Sequence, residues 1–95
     1  MNLPKQVNPE SVVINIPRYF EDAQSIADNL LQGRVVIVDF KYLDANIKQR
    51  MVSFLEGTLF GIDGRLVVLR EDLSLLLPEG ALAEMKKESV HYEKI

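Results

Sequence analysis

The run VVINIPRYFEDAQSIADNLLQGRVVIVDF, residues 12–40, decides the fold. It opens on Val12-Val13-Ile14-Asn15-Ile16, a dense β-branched segment that Pro17 ends, which reads as a strand. A helical pattern follows. Phe20, Ala23, Ile26, Ala27, Leu30 and Leu31 recur at steps of three and four, while Glu21, Asp22, Gln24, Asp28 and Asn29 fill the opposite face. Acidic groups in the first turn suit the helix dipole, and Gly33 stands where a helix stops. Val35-Val36-Ile37-Val38-Asp39-Phe40 is then a continuous apolar run, the mark of a strand covered on both faces. A strand, a helix and a strand in about 30 residues make a βαβ unit, whose strands lie parallel with a right-handed crossover.

Beyond this unit, Asp44 is placed to cap a second helix, on which Ile47, Met51, Phe54, Leu55 and Thr58 share a face. That helix ends near Phe60 or Gly61, before the turn signal Asp63-Gly64. Arg65–Arg70 and Leu73–Leu77 read as an antiparallel hairpin around Glu71-Asp72, closed by Pro78-Glu79-Gly80. Residues 1–11, with Pro4 and Pro9, read as an extended arm, residues 12–80 as the core domain, and residues 81–95 as a tail with a loose helix around Leu82 and Met85. The expected fold is a two-layer α/β sandwich, β-α-β-α-β-β, with a mixed four-stranded sheet and two helices on one face.

The composition narrows what such a domain does. A chain of 95 residues holds one modest core. The absence of Cys removes disulfides and thiolate chemistry, and a single His cannot form a cluster for a metal. A net charge of −3 is not the basic footprint of a nucleic-acid binder. No apolar run reaches the roughly 20 residues that span a bilayer. Residues 1–11 lack the apolar stretch of a signal peptide, so a soluble cytosolic domain is expected.

No catalytic constellation emerges. His91 sits in a polar context near the end, and Glu21-Asp22 and Glu71-Asp72 fit a helix first turn and a hairpin turn better than an acid–base pair. The glycines of Gly57-Thr58-Leu59-Phe60-Gly61-Ile62-Asp63-Gly64 follow a helix and precede a strand, the reverse of a phosphate loop, so no cofactor is expected. Gly61 and Gly64 are read as supplying positive φ, and Gly57, inside the helix, as a place where another backbone comes close. Asp39, at the end of its strand, is read as bonding to the next loop or capping a helix.

Two helices cover one sheet face, yet the second, third and fourth strands are apolar at odd and even positions alike. The loose C-terminal helix or a second subunit must cover the other face, and the favoured cover is a second subunit, packed sheet against sheet or through nearby apolar segments. Phe54, Gly57, Thr58 and Leu75 are the candidate self-association residues.

The order of pieces also resembles a known family. Pro17-Arg18-Tyr19-Phe20-Glu21-Asp22-Ala23, Ile26-Ala27-Asp28, Gly33 through Phe40, Gln49-Arg50 and Phe54-Leu55-Glu56-Gly57 resemble the core domain of SepF. The continuation through Gly64, Asp72-Leu73-Ser74-Leu75 and Pro78 keeps the spacing, so the likeness covers about residues 11–80. The resemblance implies a non-enzymatic cell-division adaptor that dimerises or polymerises and binds the C-terminal tail of the tubulin-like protein FtsZ. It implies a cytoplasmic protein recruited to the division site at the inner face of the membrane, where full-length members anchor through an N-terminal amphipathic helix. Met1 to Ser11, with two prolines, does not form that helix. Ser53 replaces an Asp common in the family, and Ser74 replaces an aromatic linked there with FtsZ binding.

For the tail, the expected site is the hairpin beside the second helix: Met51, Leu66, Val68 and Leu76, with Ser74, rimmed by Arg50, Arg65 and Arg70. A looser second resemblance is to STAS-type regulators, whose phosphorylatable Ser or Thr would fall at Asp44-Ala45-Asn46, where no hydroxyl stands.

Overall fold

The computed structural model describes residues 12–81. The expected arm, the tail beyond Ala81 and His91 lie outside the described residues. The order of elements is β1 (Val12–Asn15), a 3-10 turn (Phe20–Asp22), α1 (Ala23–Leu31), β2 (Val35–Asp39), α2 (Ala45–Gly61), β3 (Arg65–Arg70) and β4 (Leu73–Leu77). The expected β-α-β-α-β-β order is what the chain adopts.

Each boundary has a local cause. Buried Pro17 follows β1 and cannot extend its ladder. The Asp22 carboxylate then accepts the backbone N–H groups of Arg18 (2.8 Å) and Tyr19 (3.0 Å), which turns the chain into α1. These bonds favour the charged form, the one from Arg18 most, and hold the Asp22 carboxyl below its ordinary range. At the far end Gly33 takes φ 83°, and the Arg34 N–H reaches back to the Asn29 carbonyl at 3.0 Å. Asp44 caps α2 as expected, its Oδ1 accepting the Ile47 N–H at 2.9 Å.

The exit from α2 differs from expectation. Positive φ is carried by Asp63 (56°), not by Gly61 or Gly64. Gly64 is needed for another reason: a Cβ there would stand 2.5 Å from the Leu77 carbonyl oxygen and 2.7 Å from a Leu59 methyl. Its N–H closes the helix end on the Leu59 carbonyl at 2.7 Å.

The sheet runs β1-β2-β4-β3. β1 and β2 are parallel, β4 pairs antiparallel with β2, and β3 forms the far edge of the hairpin. Both helices lie on one face. Ala23, Ile26 and Leu30 of α1 and Met51, Leu55 and Leu59 of α2 close over Val36, Val38, Phe40 and Leu76. Ile26, Met51, Leu55 and Leu76 are wholly enclosed. Truncating any of them to Ala costs about 2–5 kcal/mol, a large share of what so small a domain has. The buried stripe of α2 is 51, 55 and 59 rather than 47, 51, 54, 55 and 58. Phe54 instead leans sideways and meets Phe20 edge to face, centroids 6.1 Å apart.

Among the described residues, no helix covers the other sheet face. Val35, Leu77 and Ala81 form a small cluster at one end of it. The rest stays open, with Val12, Ile14 and Val67 exposed. This is the uncovered apolar face expected from strands that are apolar on both sides.

Candidate partner-binding surfaces

Strand register sorts the hairpin residues between the two faces. Val68 lies opposite Ser74, and Leu66 opposite Leu76. Leu76 is core, so all four belong to the helix side. Leu66 packs partly against that core, whereas Val68, farther along the edge strand, is 68% exposed. Ser74 is buried beside it, between Val38 and Val68. Helical spacing turns Lys48 and Val52 of α2 toward this edge. The Lys48 ammonium bonds Asp72 Oδ1 at 2.7 Å and lies 5.8 Å from the Phe40 ring centroid. The result is a shallow trough between α2 and β3, with Val68 as its exposed apolar group and Lys48 as its cation.

This trough is smaller than the expected site. Met51 and Leu76 have no exposed surface. They support the floor from beneath, and a partner does not reach them, which corrects the sequence reading: a residue on a core-facing stripe is apolar for the core's sake. Nor do the three arginines gather at its rim. Arg50 projects from the opposite flank of α2, its guanidinium 4.8 Å from the centre of the Phe20 ring. Arg65 lies opposite Leu77, on the open sheet face. Arg70 would share the face of Val68 in a regular strand. A register shift between Val68 and Arg70 sets it opposite Leu73 instead, again toward the open face.

The expected self-association residues are also divided. Phe54, Gly57 and Thr58 lie on the flank of α2 that looks toward α1. Gly57 is exposed with nothing within 4 Å of a would-be Cβ, so no backbone of the same chain uses its smallness. The Thr58 hydroxyl donates to the Phe54 carbonyl at 3.2 Å. Leu75 sits on the far side of the molecule, on the open sheet face between Ile37 and Val67.

On that open face the structure assembles an apolar surface of which the sequence reading names only Leu75. Val12 and Ile14 on β1, Ile37 on β2, Leu75 on β4 and Val67 on β3 share it. Ile14 is 69% exposed, Val12 41% and Val67 38%. Arg65 and Arg70 mark the two ends of its β3 border. Period-two counting along each strand predicts this set once the strand order is known. Asp39 Oδ1 accepts the Lys41 N–H at 3.0 Å, the loop contact expected of it. Among the described residues no three His, Asp or Glu groups converge in a way that could hold a metal, and no helix is long and apolar enough to cross a membrane.

Comparison with known proteins gives one direction. Residues 12–81 match the family model described as Cell division protein SepF. A relative in Limosilactobacillus reuteri called cell division protein SepF is 43% identical over 63 residues, covering 66% of this chain and 46% of that protein. The SepF of Bacillus subtilis is 33% identical over 85 residues, covering 84% of this chain and 56% of that one. The chain spans about two fifths to two thirds of the length of the relatives it matches. Among solved structures, a SepF-like protein from Archaeoglobus fulgidus superposes with a TM-score of 0.68 at 18% identity, over 73% of this chain and 86% of that one. The SepF of Methanobrevibacter smithii, solved in complex with FtsZ-CTD, gives 0.62 at 20% identity, over 73% and 91%. These two likenesses establish the shared fold.

Proposed function

The chain belongs to the SepF family of cell-division proteins, and from that premise we propose that it is a non-enzymatic adaptor that self-associates and binds the C-terminal tail of FtsZ. The family match favours this reading over a STAS-type regulator. The observation that carries the two-part mechanism is the separation of two exposed apolar surfaces on opposite sides of one sheet.

The open sheet face, with Ile14, Ile37, Val67 and Leu75, serves self-association. It is flat, apolar and bordered by charge, which suits a second copy of the same sheet. The trough of Val68, Leu66, Ser74, Val52 and Lys48 serves the tail. An apolar side chain of the tail covers Val68, and Lys48 meets its charged groups. Placing the two on opposite faces lets a dimer carry two tails outward at once. Such bivalency strengthens attachment to a filament without new contacts. The relative bound to FtsZ-CTD supports the choice of partner. The place of action is the cytoplasmic side of the division site, where FtsZ tails are available.

The test is retention of the chain on an immobilised FtsZ tail peptide from the same organism, with a scrambled peptide as control. Retention on the native tail alone supports the proposal. Equal retention on both, or on neither, sinks it.

A further inference from the structure

The sheet face away from the helices is not equally open along its length. Val35 at the start of β2 and Leu77 at the end of β4 belong to it, yet each is only 1% exposed. Ile14 on the same face is 69% exposed and Val12 41%. The difference follows from the chain after β4. Pro78 is buried, Gly80 takes φ 84°, and the Ala81 N–H returns to the Pro78 carbonyl at 3.1 Å. A left-handed residue reverses the backbone there, and glycine adopts that conformation without cost. The reversal lays Ala81, 0% exposed, against Val35 and Leu77, with Leu75 half-buried beside them.

Fourteen residues follow, 82–95. Their path starts on the face itself, because Ala81 is already packed against it. Leu82, Met85, Val90 and Tyr92 supply apolar side chains, and three Glu and three Lys balance one another. The face carries Val12, Ile14, Ile37, Leu75 and Val67 and no charge between its borders, so a neutral segment with apolar groups meets no ionic penalty there. Reach is sufficient. Four strands at about 4.8 Å spacing are about 15 Å across, and fourteen residues cover about 21 Å even at the short rise of a helix. A tethered segment also acts at an effective concentration in the millimolar range. A contact too weak to hold two separate molecules together therefore competes with a second copy at micromolar concentration.

We propose that residues 82–95 dock on this face, with Leu82 and Met85 extending the Ala81 contact toward Ile37 and Leu75, and that they compete there with a second copy of the chain. The competition rests on the reading that the face serves self-association, whereas the docking stands without it. The occupant is this segment rather than a foreign peptide, because the chain has already turned back onto the face and buried its leading residue there. Self-association then carries a built-in brake, which a second copy must displace.

The test compares the full chain with its Leu82→Ser/Met85→Ser variant, which loses two apolar groups and gains no charge. Amide NMR spectra of both are recorded at a concentration where sedimentation velocity finds only monomer. The signals of Val12, Ile14, Ile37 and Leu75 should shift between the two. Shifts confined to residues 78–95 overturn the docking. Sedimentation over a concentration series then reads the competition, and the dimer dissociation constant of the variant should be at least fivefold lower than that of the wild type. An equal or higher constant overturns the brake. If neither protein associates at high micromolar concentration, the self-association reading and the brake fail together, and the spectra alone decide the docking. Equal melting midpoints exclude a folding defect. Where the double variant unfolds, Met85→Ser alone, four residues past Ala81, repeats both readouts with the same outcomes.

Discussion

Replacing Ile14 by Asp tests whether the open sheet face joins two copies. Ile14 is 69% exposed in the single chain, so the change leaves the core untouched. Burying a whole Ile side chain is worth about 1.5–3 kcal/mol. Covering the exposed two thirds in a dimer is therefore worth about 1–2 kcal/mol per protomer. A two-fold interface uses the residue twice, giving about 2–4 kcal/mol per dimer. The dimer dissociation constant should rise by about 30-fold to 1,000-fold, and more if the new carboxylate is desolvated. Sedimentation velocity across a concentration series reads this directly. Val67→Asp, at the opposite edge of the same face, should act in the same direction. Dissociation constants unchanged in both variants would refute sheet-on-sheet association. So would a wild-type chain that stays monomeric at high micromolar concentration.

Three further outcomes concern the fold that holds these surfaces. Gly64→Ala drives a methyl into the Leu77 carbonyl, so the hairpin must shift, and urea unfolding should show a loss of about 1–3 kcal/mol. Asp44→Ala leaves the Ile47 N–H without its cap and should cost about 1 kcal/mol in the same assay. The Asp22 carboxyl titrates below its ordinary 3.8 when folded. Its contribution is therefore fully present above the unfolded value and disappears as pH falls through the folded one. Stability measured from pH 6 to pH 2 should fall less steeply in Asp22→Ala than in the wild type, and parallel slopes would contradict that role.

The parts of the fold that depend on local chemistry were legible in the sequence. Gly33, Asp44 and the Glu71-Asp72 turn act where their residue types place them, because capping and left-handed turns need only a few neighbours. The two-sided apolar character of the strands is itself the sign of an uncovered face. What depends on register was not legible. The irregularity between Val68 and Arg70 leaves no mark in the composition of Arg65–Arg70, yet it moves Arg70 to the other side of the sheet. The α2 stripe was misjudged for a related reason. Phe54 and Leu59 both fit a helical apolar face, but Phe54 turns aside to meet Phe20 while Leu59 goes into the core. Met51 and Leu76 looked like contact residues because apolarity alone does not separate a floor from the beam under it. The stacks of Arg18 on Tyr42 and of Arg50 on Phe20 join residues 24 and 30 positions apart, beyond any local pattern.

The proposed seat of an FtsZ tail is the trough between α2 and β3. The direct measurement is calorimetric titration of the chain and its Val68→Asp variant with the FtsZ tail peptide of the same organism. Val68 is exposed, so the variant should keep its fold and melting midpoint. The wild type should bind saturably, and the variant should lose at least tenfold in affinity. Equal affinity in two equally folded proteins would contradict it.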